Sequence, residues 1–104
     1  MSDTLTRLAR TIEARKSESP ETSYTAHLLA KGAEKCAEKF GEEAVEAIIA
    51  AAKGDHANLR DEAADVLYHL LVMLAANDVT LEEVLDILAD REGTSGHDEK
   101  AARG

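Results

Sequence analysis

The residues best spaced for chemistry are acids: Glu42, Glu43 and Glu46, followed by Glu62 and Asp65. On a helix, residues three and four apart share a face, so the first three fall within one strip and the last two within another. Like charges at that spacing destabilise a helix by about 0.2–0.5 kcal/mol per pair, unless a cation lies between them. Gly54-Asp55-His56 is a turn signal nearly midway between the two groups. Folding the helices back as an antiparallel hairpin sets Glu46 against Glu62 and Glu43 against Asp65. Carboxylates converging in this way form an all-oxygen site, suited to Mg²⁺ or Mn²⁺ rather than zinc. The plainer alternative is a pair of solvated faces with ordinary Lys–Glu pairing. Two acid pairs at matched height beside apolar residues favour the metal site.

Lys35 and Lys39 precede the acids by one to two turns on the same strip, with Lys31 not far round. Ammonium groups beside a cation cluster suit a polyphosphate, although Lys39 could equally pair with Glu42 or Glu43. His69 follows Asp65 by one turn, where it could support a ligand, act as an acid or simply fill a helix position. Tyr24 could stack on a base or pack at a helix start. His27, His56 and His97 share no zinc or triad spacing. Cys36 is the single cysteine, which excludes an intrachain disulfide and a Cys-based zinc site and suits a small core residue. No G-x-x-x-x-G-K-[ST] phosphate loop occurs, so an NTPase of that class is excluded.

Helices must position these groups. A chain of 104 residues supports one hydrophobic core, so a single domain over 1–104 is expected. Leu5, Leu8, Ala9 and Ile12 predict a helix from about Asp3 to Lys16, stopped by Ser17-Glu18-Ser19-Pro20. The pattern resumes after Ser23 and runs to about Lys53, with Gly32 and Gly41 as candidate bends or breaks. The next helix, helped to start by Asn58, continues to about Asn77. Thr80 caps a last helix, with Glu83 at the capping-box position, that ends near Arg91-Glu92-Gly93. Thr94 to Gly104 is a polar tail.

The expected fold is all-α, a bundle of four to five helices. With Tyr24, Phe40 and Tyr68 as the only aromatics, its core is aliphatic and thin. In the Asn58–Asn77 helix, Leu67, Leu70 and Leu74 define one apolar side, and Ala64, Leu71 and Val72 extend it almost all round. Such a helix is central, covered by its own chain on one side and by a second copy on another, so a homodimer is expected. A net charge of −9 argues against nucleic-acid or anionic-membrane binding. No apolar run approaches a membrane span, and Met1-Ser2-Asp3-Thr4 lacks a leader pattern, so the cytoplasm is expected.

Beyond this residue chemistry, the chain resembles the phosphoribosyl-ATP pyrophosphohydrolase family of histidine biosynthesis, within the all-α NTP pyrophosphohydrolase (MazG-like) superfamily. An E-x-x-E pair followed by E-x-x-D marks the superfamily, present here as Glu43/Glu46 and Glu62/Asp65 with Glu42 completing E-E-x-x-E. The narrower resemblance rests on several stretches. They are Ser23-Tyr24-Thr25, Lys31-Gly32 to Lys35-Cys36, Phe40-Gly41-Glu42-Glu43-Ala44 and Glu62-Ala63-Ala64-Asp65-Val66-Leu67-Tyr68-His69. The ending Arg91-x-Gly93-x-Ser95-Gly96-x-x-Glu99-Lys100-x-x-Arg103 also matches. The resemblance implies Mg²⁺-dependent hydrolysis of phosphoribosyl-ATP to phosphoribosyl-AMP and pyrophosphate. It also implies that the tail, including Arg91, Ser95 and Lys100, helps to hold the substrate. The rivals are a MazG-like enzyme acting on other nucleoside triphosphates and a non-catalytic helical interaction module.

Overall fold

The computed structural model of the chain describes residues 3–92. They form five helices: α1 (Asp3–Arg15), α2 (Tyr24–Ala30), α3 (Ala33–Lys53), α4 (His56–Ala76) and α5 (Leu81–Arg91). No strand occurs among the described residues, and the fold is all-α.

Each boundary has a local cause. Ser23 begins α2 by accepting a hydrogen bond from the Ala26 amide at 3.2 Å. Gly32 separates α2 from α3 at φ +99°, where a side chain would be strained. Gly41, the other candidate break, lies within an uninterrupted α3. A glycine removes helix propensity but neither blocks the hydrogen-bond ladder nor clashes, and flanking packing carries the helix through. Gly54 ends α3 in the left-handed region at φ +69°.

The start of α4 differs from the expected one. Asp55, rather than Asn58, is the cap, and its carboxylate accepts from the Asn58 amide at 3.1 Å. Thr80 and Glu83 form the expected reciprocal capping box at α5.

Packing centres on the α3–α4 hairpin, with α1 and α2 laid against it. The buried core joins Ile12 of α1, Leu28 of α2, Cys36 of α3 and Leu71, Val72 and Ala75 of α4. The Cys36 thiol donates to the Leu28 carbonyl at 3.3 Å, and burial pushes its pKa up, as suits a core residue. Helix α4 is central, but Leu67 on its apolar side is exposed, as are Val45, Ile48 and Ile49 on α3. Helix α5 contributes no fully buried residue and exposes Ile87 and Leu88.

Candidate active site

The tight α3–α4 turn determines which acids meet. Amides of Gly54 and Asp55 close it on the Ala51 and Ala50 carbonyls, each at 3.1 Å, and the two helices run back side by side. One carboxylate oxygen each from Glu43, Glu62 and Asp65 then lies within 4.8 Å of the others. Glu43 is the innermost, its side chain only 12% exposed. Glu46 lies outside this tightest group but next to Glu62. The Glu62 carboxyl is pushed above its ordinary value, first by burial and then by the charge and hydrogen bond of Glu46, with Asp65 and Glu43 adding to the effect. Confined like charges resist ionisation, and a divalent cation would remove that resistance.

The donor set fits such a cation. It offers hard carboxylate oxygens from two rigid helices, with no sulfur or imidazole in the group. Glu42 does not join it. Its carboxylate points to Lys39, 3.5 Å from the ammonium nitrogen. The Lys39 ammonium, one turn back, draws Glu42 toward the edge of the cluster.

The basic groups are distributed unevenly. Lys39 Nζ stands 3.5 Å from Glu42 and 3.8 Å from Glu43, at the edge of the acids. Its pKa is raised chiefly by the Glu42 charge, then by the Tyr24 phenol. Tyr24, at the first position of α2, is 57% exposed. Lys35 pairs with Glu38 at 3.5 Å, one turn further back. Lys31 is not on α3 at all. It caps the C-terminus of α2, and the positive φ of Gly32 breaks the angular relation expected from one continuous helix. Arg91 is exposed in the last turn of α5, whereas Ser95 and Lys100 lie outside the described residues, with the rest of the tail motif.

His69 is buried, 6% exposed. Burial lowers its pKa first, and Lys39 lowers it further, while Glu43, Asp65 and Glu42 act in the opposite direction. Its Nδ1 is buried with no hydrogen-bond partner among the described protein groups.

A buttress lies beside it that spacing alone does not reveal. The Tyr68 and Thr25 hydroxyls are hydrogen-bonded at 2.5 Å, tying α4 to α2. The Tyr68 ring meets the His69 ring edge to face at 4.9 Å. The available signal was two hydroxyl side chains on separate helices, which becomes informative only when the helices are placed.

A separate cleft of about 310 Å³ opens between α1, the end of α4 and α5, lined by Ala9, Arg10, Leu71, Leu74 and Leu85 among others. None of Glu43, Glu46, Glu62 or Asp65 borders it. The acids instead occupy an open face of the hairpin.

Comparison with known proteins bears on what that face does. A family model described as phosphoribosyl-ATP pyrophosphohydrolase matches residues 5–92. Several curated relatives carry the name phosphoribosyl-ATP pyrophosphatase. The Cereibacter sphaeroides protein is 72% identical over 96% of this chain and 97% of its own length. The Rhodobacter capsulatus protein is 73% identical over the same shares. The Paracoccus denitrificans protein is 72% identical over 95% of this chain and 92% of its own.

Proposed function

The chain belongs to the phosphoribosyl-ATP pyrophosphohydrolase family, and from that membership we infer that it hydrolyses phosphoribosyl-ATP to phosphoribosyl-AMP and pyrophosphate, a step of histidine biosynthesis. The observation that carries the assignment of the site is the convergence of Glu43, Glu62 and Asp65 within 4.8 Å on the hairpin. With Glu46 beside Glu62, these acids hold Mg²⁺, and Mn²⁺ can take its place.

When bound, the cation polarises the phosphoryl oxygens and offsets charge on the departing pyrophosphate. The protein's own groups do the rest. Lys39, beside Glu42 and Glu43, holds a phosphate oxygen, with Lys35, Lys31 and Arg91 reaching the outer phosphates or the phosphoribosyl group. Tyr24 offers its exposed ring to the adenine base. Glu42, at the rim, is a further ligand or orients the attacking water. Carboxylates as a class are weak bases for water, so metal activation contributes more than direct proton abstraction. Ser95 and Lys100 contribute from the tail.

The apolar residues left exposed on the outer side of α3 support a homodimer, with a second copy covering Val45, Ile48 and Ile49. No described helix is long and apolar enough to cross a membrane. We place the enzyme in the cytoplasm, with a nucleotide rather than a nucleic acid as its partner.

A substrate panel tests this reading. Phosphoribosyl-ATP is compared with free ribo- and deoxyribonucleoside triphosphates, each with Mg²⁺ and with a chelator. Preferred, chelator-sensitive release of pyrophosphate from phosphoribosyl-ATP is the expected result. Preferred cleavage of the free nucleotides would overturn the substrate assignment.

A further inference from the structure

His69 Nδ1 is the one buried side-chain nitrogen or oxygen without a hydrogen-bond partner among the described residues. Folded proteins rarely leave such an atom unpaired, and where one persists beside a functional site, a partner absent from the apo state is a natural cause. Three features locate that partner. His69 follows Asp65 by one helical turn, so it backs the acid cluster from within α4. Its ring is held by Tyr68 at 4.9 Å, and Tyr68 is itself tied to Thr25 of α2. Among the charges acting on the ring, Glu43 is first, followed by Lys39, Asp65 and Glu42, which are the groups surrounding the site.

Glu43 is only loosely held, with Lys39 Nζ 3.8 Å from its Oε2. One of its carboxylate oxygens belongs to the cluster with Glu62 and Asp65, and its side chain is largely covered. A carboxylate ligand needs its second oxygen fixed, or the first turns away from the cation.

We propose that His69 is a positioning residue whose buried Nδ1 hydrogen-bonds, directly or through one buried water, to the second oxygen of Glu43 when the cluster holds its cation. This rests on the reading of the acids as a metal site. The imidazole does not touch substrate; it acts through Glu43. The Thr25–Tyr68 pair holds the ring in place, giving the α2 segment an indirect link to the cation.

The test uses Mn²⁺ binding by the whole chain without substrate, measured by titration calorimetry and by the water-proton relaxation of bound Mn²⁺, alongside the thermal midpoint of the metal-free protein. His69→Leu removes both ring nitrogens, His69→Asn places an amide nitrogen near the position of Nδ1, and His69→Gln reaches the position of Nε2. The Leu variant is expected to bind Mn²⁺ roughly 10- to 100-fold more weakly, with an undiminished thermal midpoint. The Asn variant should recover most of the loss and the Gln variant little of it.

A Leu variant that binds Mn²⁺ like the parent would overturn the proposal, as would rescue by Gln and not by Asn. Should the Leu variant fail to fold, the contrast between Asn and Gln decides alone, and equal binding by those two counts against Nδ1. If the parent binds Mn²⁺ no better than Asp65→Asn, the metal site itself fails, and the role of His69 falls with it.

Discussion

Glu62 carries the clearest electrostatic signature among the acids. Its pKa is raised by burial and by the neighbouring charges of Glu46, Asp65 and Glu43, so the folded state binds its proton more tightly than the unfolded chain does. The sign follows from linkage. Such a group leaves stability intact below its unfolded pKa, near the ordinary 4.5, and stability is lost as pH rises through the raised folded value. The metal-free protein should therefore lose thermal stability as pH rises through the carboxylate range, and Glu62→Gln should reduce that loss while abolishing turnover. Thermal melts from pH 4 to 8 with a chelator check this, the pH span being set about the ordinary carboxylate range. Addition of Mg²⁺ should recover stability in the parent and not in the variant. A parent and a variant with the same pH slope would show that Glu62 is an ordinary solvated acid. Function here opposes stability, since the same crowding of charge that weakens the empty fold is what a cation requires.

At the scale of the elements, two glycines that look alike in sequence have opposite roles. Gly32 sits at φ +99° between α2 and α3, whereas Gly41 lies in the middle of α3 with open space where a Cβ would go. Gly32→Ala should destabilise by about 1–3 kcal/mol because an L side chain is strained there. Gly41→Ala should stabilise by up to about 1 kcal/mol through helix propensity. Chemical denaturation of both variants checks the pair, and the same sign for both would contradict the assignment of the break. This is where sequence pattern reaches its limit. The hairpin and its facing acids are legible because Gly54-Asp55 sits between two periodic segments, and helical spacing then brings Glu43 opposite Asp65. The Thr80–Glu83 box is legible because both of its halves are local. The choice of Asp55 over Asn58 as cap is not, since either side chain can cap and the decision depends on how the chain leaves Gly54. Nor is the displacement of Lys31 from α3, because Gly32 is compatible with both a bend and a full break. The orphaned His69 nitrogen depends on tertiary burial and has no signature in spacing at all.

The whole molecule has one buried cluster joining α1 to α4, and a second apolar surface that it leaves open. On α3, Cys36 and Ala50 are buried, while Val45, Ile48 and Ile49 remain exposed on the other side, so the helix is apolar on two faces. A second copy over that outer face, as proposed, would account for this pattern. Ile48, 65% exposed, makes the test clean because its replacement disturbs little within one copy. Ile48→Asp should convert a dimer to a monomer in light scattering. An unchanged mass in the variant, or a monomeric parent, would contradict the dimer. The net charge of −9 is compatible with a polyphosphate substrate if, as proposed, some of that charge is concentrated where cations would bind. The central claim is thus that the acids of α3 and α4 hold the cation that makes phosphoribosyl-ATP hydrolysis possible. Asp65→Asn tests it most directly, since it removes one charge and one ligand while keeping size and helix. Mg²⁺-dependent turnover of phosphoribosyl-ATP should fall by roughly a hundredfold or more, as loss of several kcal/mol of charge stabilisation requires, with the helical circular dichroism and thermal midpoint retained. Turnover at the parent's rate in that variant would contradict the account.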